Sequence, residues 1–522
     1  MKLFTPEERR FARAVERLNY CNPFLAERID AEREALGAAF EERDAEWNRR
    51  SLLETRHPNL LRLWTKTGEL VGRVAAKWPA RGKIPAEDTR LYENLVFYKL
   101  FHDYCEDFDR AITGAQTARE SSPKVEFFRS FRTDCATLLK LRGFRPAEPT
   151  SPEHLFAGFF QVRRAFHHIH RFVAGTSRPI ARLRGAIWQS IFTHDMRRYR
   201  RSLYRSVGDF ATLVTGPSGT GKELVARAIG LSRYLAFDSR RGRFETDFSG
   251  SFYPLNLSAL SPTLIESELF GHRKGAFTGA VDHREGWLEI CPANGTVFLD
   301  EIGEVATPIQ VKLLRVLQER TFQRLGETDE RRFRGKLIAA TNRDVAEEIR
   351  TDRFRTDFYY RLCADQVTTP SLHDQIADSP GDLETLTRFI ARRLMEDETD
   401  AAAFAAEAHD WIERHLGIDY TWPGNFRELE QCLRNLLIRR TYLPANTNTR
   451  ETGDWLERAR RHELTADQLL HHYCQSVYVR TGTLEAAARL LGLDRRTVKS
   501  RLENSPTPPS ATPGAGGGHG PA

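Results

Sequence analysis

Apolar residues recur at intervals of three and four positions through the first part of the chain, among many arginine and glutamate residues. This spacing is typical of amphipathic helices. Pro146, Pro149 and Pro152 interrupt the pattern, and we predict one more helix at about 153–173 after this break. Residues 1–175 are therefore predicted to form a mostly helical domain.

The pattern changes after this region. Short apolar runs alternate with helical stretches over 178–375, which predicts an α/β subdomain with a parallel sheet. Residues 376–440 show helical patterns only and are interpreted as a lid, and a polar linker is predicted at 441–463. A short helical module follows at 464–503. The tail, 504–522, consists almost entirely of Pro, Gly, Ser, Ala and Thr and is predicted to be disordered.

The composition narrows the class of protein. A length of 522 residues is too great for one hydrophobic core, and the net charge of +7 suits a nucleic-acid partner without requiring one. The seven cysteines form no CxxC pair, so neither a zinc site nor a disulfide framework is expected. We found no signal-peptide pattern and no apolar run of about 18 residues, and we interpret the protein as cytoplasmic, without a membrane span.

A glycine-rich loop lies between an apolar run at 211–215 and a helical segment that begins near Glu223. Glycines allow backbone N–H groups to approach phosphates, the helix N-terminus adds positive potential, and Lys222 reaches the β- and γ-phosphate oxygens. The generic pattern has Ser or Thr after the lysine, where this chain has Glu223. The sequence predicts an ATP site formed by Gly216, Pro217, Ser218, Gly219, Thr220, Gly221, Lys222 and Glu223.

A second predicted strand, 295–299, ends in two carboxylates. We expect Asp300 to bind Mg²⁺ and Glu301 to polarise the attacking water, as ATP hydrolysis requires. A further strand is predicted at 337–341, about 40 residues later. This order of elements predicts a Mg²⁺-dependent ATPase.

The hexapeptide 275–280 lies between the phosphate loop and the acidic pair. Its residues are Gly275, Ala276, Phe277, Thr278, Gly279 and Ala280. Glycines at both ends allow a sharp reversal, and we interpret Phe277 as an exposed contact tip. Together with the preceding segment, 266–272, it resembles the signature of the sigma-54-dependent transcription activators, which are bacterial enhancer-binding proteins of the AAA+ class. Glu223 also matches that family, and the resemblance covers about 178–440 and the C-terminal module.

The resemblance implies roles for further residues of the ATPase. Asn256 matches the asparagine that couples Glu301 to the nucleotide state. Thr341 and Asn342 match the sensor position near the γ-phosphate. The residues at 422–430 match the lid segment whose arginine, here Arg427, returns to the phosphates of its own subunit.

Residues 354–362 resemble the arginine-finger segment of the family, which implies that Arg355 and Arg361 reach the nucleotide of a neighbouring subunit. The alternative is that both are surface arginines on a basic helix. Two features depart from the family pattern. An insertion is present at 238–247, and the segment 370–375 lacks the usual arginine-rich string.

The C-terminal module resembles a Fis-type helix-turn-helix. Small alanines at 486–488 allow a close helix crossing, Gly492 suits the turn, and Val498 and Leu502 are expected to face inward. The alternative is a helical hairpin used for dimer packing. The predicted DNA-binding residues are Arg495, Arg496, Thr497, Lys499, Ser500 and Arg501.

The resemblance implies an ATP- and Mg²⁺-dependent transcription activator. It would assemble into a ring, taken to be a hexamer, bind enhancer DNA and remodel the closed complex of sigma-54 RNA polymerase into an open complex. Two alternatives remain: a DNA-binding regulator that acts by occupancy, and an AAA+ remodeller of another substrate. The helical N-terminal domain is interpreted as a signal receiver, with a partner-binding or ring-repressing domain as the alternative. His167, His168 and His170 point in different directions on a helix and are not expected to bind a metal.

Overall fold

The computed structural model describes most of the chain, as two compact units, Met1–Leu437 and Ile438–Ala522. The predicted tail at 504–522, and the predicted linker apart from 441–444, 459–460 and 462, lie outside the described residues. The described ranges are 3–42, 57–79, 84–117, 124–146, 151–245, 251–417, 419–444, 459–460, 462, 464–481 and 483–503.

The N-terminal part of the first unit is helical, as predicted. The first helix starts with a capping box, in which the Thr5 hydroxyl accepts from the Glu8 backbone N–H and the Glu8 carboxylate accepts from that of Thr5. The last starts at a proline that follows the N-cap Ser151. The helices are α1 (Pro6–Tyr20), α2 (Ala26–Leu36), a 3₁₀ turn (Gly37–Ala39), α3 (Pro58–Ala76), α4 (Ala86–Asp103), α5 (Cys105–Thr117), α6 (Phe128–Leu139) and α7 (Pro152–Phe172).

A parallel sheet forms the centre of the ATPase-like part. Strands β1 and β10 are central and almost completely buried, because helices cover both faces of such a sheet. The order across the sheet is β11 (Asp365–Thr368), β1 (Thr212–Thr215), β10 (Lys336–Thr341), β7 (Thr296–Asp300) and β4 (Phe252–Asn256). Three two-stranded antiparallel pairs stand apart from it, namely β2 (Phe237–Asp238) with β3 (Arg243–Phe244), β5 (Gly271–His272) with β6 (Arg284–Glu285), and β8 (Thr321–Phe322) with β9 (Arg331–Arg332).

Helices surround this sheet and continue into a helical lid, as the sequence predicts. Those before and between the strands are α8 (Arg178–Phe192), α9 (Met196–Arg201), α10 (Lys222–Gly230), α11 (Pro262–Phe270), α12 (Trp287–Ile290), α13 (Thr307–Glu319), α14 (Val345–Arg350) and α15 (Thr356–Leu362). The lid helices are α16 (Leu372–Asp378), α17 (Asp382–Leu394), α18 (Glu398–His415) and α19 (Asn425–Arg439). Short 3₁₀ turns occupy Leu203–Arg205, Val207–Asp209, Leu257–Ala259 and Ile302–Glu304.

The insertion at 238–247 belongs to the β2–β3 hairpin, whose two phenylalanines are buried in the helical domain. The ring of Phe237 lies 4.5 Å from that of Phe128, and the ring of Phe244 stacks on Phe160 at 4.1 Å. The backbone N–H of Val125 donates to the hairpin at 2.8 Å. The hairpin therefore joins the helical domain and the sheet domain through a shared hydrophobic core. Residues 246–247 of the insertion lie outside the described residues.

The second unit contains three helices around a small apolar core. Val477, Ala487 and Val498 are buried in it, and Leu502 packs against it. The helices are α20 (Ala466–Thr481), α21 (Leu484–Leu491) and α22 (Arg495–Glu503). Of the helices that the structure describes in either unit, none has the length and apolar content to cross a membrane.

The buried hairpin predicts a large loss of stability when its stacked ring is removed. We expect Phe244→Ala to lower the free energy of unfolding by about 3–5 kcal/mol, because the substitution leaves a cavity between two phenylalanines of α7. Urea denaturation followed by circular dichroism measures this change. The control is Phe210→Ala, where the side chain is 54% exposed and a change within about 0.5 kcal/mol is expected. Equal effects of the two substitutions would contradict the shared core.

Candidate active site

The predicted catalytic segments meet at one edge of the sheet. Strands β1, β7 and β10 are parallel neighbours, so their carboxyl ends lie side by side. Thr215, before the glycine-rich loop, pairs with Thr341, and Asp300 ends the next strand but one. Ligands bind at this edge in open α/β sheets. The fold thus brings the glycine-rich loop and the acidic pair together.

Two properties of the loop require glycine: a positive φ, and neighbouring segments that lie too close for a side chain. Gly216, Gly219 and Gly221 all have positive φ, at 139°, 77° and 85°. A Cβ on Gly216 would lie 2.1 Å from the Thr369 hydroxyl oxygen, and one on Gly219 would lie 2.3 Å from the Gly424 carbonyl oxygen. A side chain at either position would displace the segments that close the loop.

Lys222 starts α10 and is buried. Its ammonium donates to the carbonyl oxygens of Gly216 and Pro217, both at 3.1 Å, so it lies across the loop. Burial lowers the pKa of Lys222, while the nearby Glu301 and Asp300 carboxylates oppose that shift. An anionic phosphate in the loop would complete the charge compensation of this ammonium.

A cavity of about 890 Å³ opens beside the loop. This volume suits a nucleotide-sized ligand. Its polar side includes Lys222, Asp300, Glu301 and Arg427, and its apolar side is formed by residues at the end of α7, in α8 and in the lid helix α17. The apolar and flanking residues include Phe172, Val173, Ile180, Leu183, Leu386, Phe389 and Ile390.

The acidic pair has an unusual backbone. Glu301 has a positive φ of 58°, which costs energy for a residue other than glycine and is often found at functional sites. Its carboxylate accepts from the Asn342 backbone N–H at 3.4 Å, which links the ends of β7 and β10. Burial, and then the neighbouring Glu301 carboxylate, raise the pKa of Asp300. Nearby positive charge would keep Asp300 ionised.

Asn256 ends β4 and is paired in register with Asp300. Its side-chain oxygen accepts from the backbone N–H of Ser258 at 3.0 Å and from its hydroxyl at 2.8 Å. Among the described residues, the hydrogen bonds of this side chain go to Ser258 and not to Glu301. The predicted coupling of Asn256 to Glu301 stays a prediction.

The lid contacts the loop directly. Arg427 donates to the Ser218 hydroxyl at 3.1 Å, and the Phe426 backbone N–H donates to the Gly219 carbonyl at 3.0 Å. The side-chain amide of Asn425 donates to the Ser218 carbonyl at 3.0 Å. Arg427 therefore lies beside the loop of its own chain.

Asn425 and Thr369 have positions in the site that the sequence interpretation missed. Asn425 has a φ of 54°, a conformation that asparagine tolerates, and its side-chain oxygen accepts from the Leu372 backbone N–H at 2.8 Å. Thr369 follows β11, and its hydroxyl lies 2.6 Å from that of Thr220. Asn425 lies in the sequence Trp-Pro-Gly-Asn at 422–425, within the segment that matches the lid, so its position could have been inferred. No local sequence pattern indicates a role for Thr369.

The two predicted arginine fingers lie away from the cavity. Neither Arg355 nor Arg361 is among its lining residues. Arg355 precedes α15 and pairs with Asp357 at 2.8 Å, and both arginines are exposed. An exposed position outside the cavity is compatible with both interpretations: arginine fingers for a neighbouring subunit, and surface arginines.

The hexapeptide 275–280 forms a closed turn above the β5–β6 pair. Gly275 donates to the Ala280 carbonyl at 2.9 Å, and Ala280 donates to the Phe277 carbonyl at 3.0 Å. Phe277 is half-buried, with its ring 5.0 Å from that of His272, whereas Thr278 is exposed. The expectation of an exposed phenylalanine tip is thus corrected, because His272 offers a neighbouring aromatic surface.

Comparison with known proteins identifies this region. The model of the sigma-54 interaction domain matches residues 192–368, from the end of α8 to the end of β11. The chain therefore contains a region that is similar to the sigma-54 interaction domain. The matched residues include the glycine-rich loop, the hexapeptide and the acidic pair.

Curated relatives carry the same region. The chain is 39% identical over 306 residues to the transcriptional regulatory protein ZraR of Klebsiella oxytoca, a match that covers 56% of this chain and 63% of ZraR. It is 42% identical over 229 residues to the sigma54-dependent transcriptional activator SfnR of Pseudomonas putida, covering 44% and 57%. The match thus covers less than two thirds of either relative's length.

A crystal structure of NtrX from Brucella abortus is also similar to this chain. The similarity covers 71% of this chain and 79% of NtrX, at 23% identity and a TM-score of 0.39. This score is too low to support a functional argument.

The C-terminal helices have the expected turn. Gly492 has a φ of 67°, and Asp494 caps α22 by accepting from the Thr497 backbone N–H at 2.9 Å and from its hydroxyl at 2.6 Å. Arg495 pairs with an acidic residue of α21 and Arg501 with one of α20. The remaining predicted DNA-binding residues, Arg496, Lys499 and Ser500, are exposed.

Within the described residues, no group of three or more His, Cys, Asp or Glu side chains could hold a metal ion. Magnesium is commonly bound by one or two carboxylates together with substrate phosphates and water, so a single Asp300 is compatible with it. His168 is buried on α7 and lines the large cavity, and burial holds its pKa well below the usual value. It therefore stays neutral beside the cavity.

The raised pKa of Asp300 predicts that its charge lowers the stability of the protein. Ionised Asp300 destabilises the fold above its raised pKa, and this cost disappears as the pH falls through that pKa. We expect Asp300→Asn to raise the Tm of the protein at pH 7.5 by about 1–2 °C. Calorimetry measures this change. The matched control is Asp329→Asn at an exposed position, where the Tm should not change. A fall in Tm for Asp300→Asn would contradict the argument.

Proposed function

We propose that this protein hydrolyses ATP and uses the energy to remodel the closed complex of sigma-54 RNA polymerase into an open complex. The observation that carries the proposal is the convergence of Lys222, Asp300, Glu301 and Arg427 on one cavity, three of them within the sigma-54 interaction domain. The names of the relatives support transcription regulation as the process.

The residues of the cavity fit ATP and Mg²⁺. Lys222 and the backbone N–H groups of the loop would bind the phosphates, and Asp300 would bind the metal ion. Glu301 would orient and polarise the attacking water, because its carboxylate lies between the ends of β7 and β10. Arg427 would move with the lid and contact the phosphates from the opposite side.

A ring is the assembly that would complete this site. Arg355 and Arg361 are exposed and do not line the cavity of their own chain, so as arginine fingers they would act on the nucleotide of a neighbouring subunit. We propose a closed ring, taken to be a hexamer, in the cytoplasm. Asn256 and Asn342 would relate the state of the γ-phosphate to the adjacent elements.

The hexapeptide 275–280 is proposed to contact sigma-54. Gly275 and Gly279 have positive φ, and a Cβ at either would meet no atom within 4 Å, so the turn projects from the domain. Phe277 would exchange its contact with His272 for a contact with sigma-54, and the exposed Thr278 would lie beside it.

The C-terminal unit is proposed to bind enhancer DNA. The exposed Arg496, Lys499 and Ser500 lie on α22, the second helix of the turn, which is the recognition helix in helix-turn-helix proteins. Arg495 and Arg501 would reach phosphates after leaving their acidic partners, and Thr497 mainly caps the helix.

Lys222→Ala tests the proposed ATPase. We expect at least about a 100-fold loss of ATP turnover, because a buried cation that stabilises the transferred phosphate is removed. Phosphate release by the purified full chain measures it. Lys140→Ala, at an exposed position of the helical domain, should keep the wild-type rate. Turnover that is absent from the wild-type protein at all concentrations would favour a regulator acting by occupancy.

Thr278→Ala tests the proposed contact with sigma-54. The side chain is exposed, so ATP turnover should stay within about twofold of wild type, a change no larger than surface substitutions normally cause. Open-complex formation with sigma-54 RNA polymerase, measured by permanganate footprinting, should be lost. Thr399→Ala, on the exposed surface of α18, should leave both unchanged. Equal loss of both activities in Thr278→Ala would contradict a separate contact loop.

A further inference from the structure

A second cavity lies where the N-terminal helices meet α8 and α9. Its volume is about 180 Å³, and its lining is rich in Phe, Tyr and Trp. An engineered cavity of about 150 Å³ lined by Leu, Ile and Phe admits benzene, so this volume is large enough for a single ring. The rings of the wall include Phe97, Phe101, Phe159, Phe166, Trp188 and Phe192.

A glycine of α7 keeps this space open. Gly158 lies in the middle of the helix and lines the cavity, and a Cβ at this position would meet no atom within 4 Å. Its backbone conformation suits any residue, so neither strain nor crowding requires glycine here. Glycine destabilises a helix interior relative to alanine. The free space beside Gly158 is therefore a feature of the cavity itself.

Several polar groups of the wall already have partners. The two ring nitrogens of His154 lie 2.7 Å from the Tyr234 hydroxyl and 2.8 Å from a backbone carbonyl. The side-chain amide of Gln161 donates to the Tyr199 hydroxyl at 2.7 Å. Burial lowers the pKa of His154, which keeps the ring neutral. A ligand thus meets few groups that need a new hydrogen bond.

The charged groups of the wall also favour a neutral ligand. Arg28 and Glu32 pair with each other at 3.2 Å, and Arg200 donates to the Tyr20 hydroxyl at 2.9 Å. The Nε donor of Arg28 is buried and has no hydrogen-bond partner among the described residues. One acceptor atom on the ligand would satisfy it.

We propose that this cavity binds a neutral small molecule built on a single ring, carrying one hydrogen-bond acceptor. The volume limits the ring to about the size of benzene with a short substituent. The aromatic walls provide the apolar contacts. Because Arg28 and Glu32 already pair with each other, burying a charged ligand beside them would cost more free energy than burying a neutral one.

The same helix connects the cavity to the glycine-rich loop. Three residues beyond Gly158, Gln161 also donates to the Ser232 carbonyl at 3.0 Å. Arg164 donates to the carbonyls of Leu231 and Arg233, at the end of α10, which begins at Lys222. A ligand that orders α7 would therefore act on the helix that carries the lysine of the loop. This regulatory part rests on the proposed ATPase activity, whereas binding to the cavity does not.

Calorimetric titration of the full chain with benzyl alcohol, cyclohexanone and toluene tests the site. We expect benzyl alcohol or cyclohexanone to bind the wild type, with toluene weaker because it lacks an acceptor. Gly158→Ala should retain binding, since one methyl leaves most of the space, whereas Gly158→Leu should weaken it at least tenfold. If Gly158→Leu does not fold, Val162→Phe replaces it as the cavity-filling variant. Val162 lines the same cavity from the next turn of α7.

Two results would overturn the binding proposal: no heat with any of the three compounds, or equal affinity in wild type, Gly158→Ala and the cavity-filling variant. The regulatory part has a separate measurement. A bound compound should change ATP turnover at least twofold in the wild type and leave that of the cavity-filling variant unchanged. Binding without this change would overturn the link to α10 while leaving the binding site in place.

Discussion

The contact between the glycine-rich loop and the lid is the constraint on which the site depends. At Gly219 the two backbones lie so close that a single methyl group would be 2.3 Å from the Gly424 carbonyl. This proximity lets the Phe426 N–H reach the loop and places Arg427 beside Ser218. The cavity, its lysine and its acidic pair are therefore enclosed by a lid whose position is set by backbone contacts. A nucleotide that separates or tightens these contacts would be sensed by the whole lid.

The helical domain is part of the same structural unit. The β2–β3 hairpin extends from the sheet domain into the aromatic core of the helices, and α7 returns to bond the end of α10. Both apolar contacts and hydrogen bonds thus join the domains. A change in the packing of the helices has a short path to the glycine-rich loop.

Some of this arrangement could be predicted from the sequence. The helical N-terminal part, the parallel sheet, the lid and the loop each have a local pattern of periodicity, glycine or charge, and the structure confirms this fold class. Partners distant in the chain could not be predicted. Thr369 meets Thr220 across 149 positions, and the insertion finds Phe128 and Phe160 in another domain. The partial burial of Phe277 could not be predicted either. Its ring contacts His272, and this contact exists only once the β5–β6 pair has formed.

The buried guanidinium of Arg164 makes the sheet domain depend on the helical domain. Its charge lies at the carbonyl end of α10, where a helix dipole favours a cation, and burial lowers its pKa to about 9. The sheet domain cut away from these helices would lose that cation and would present Phe237 and Phe244 to water. A truncation near residue 175 would leave the end of α10 without its cation and an apolar hairpin exposed to solvent. The sheet domain therefore needs the helical domain for its full stability.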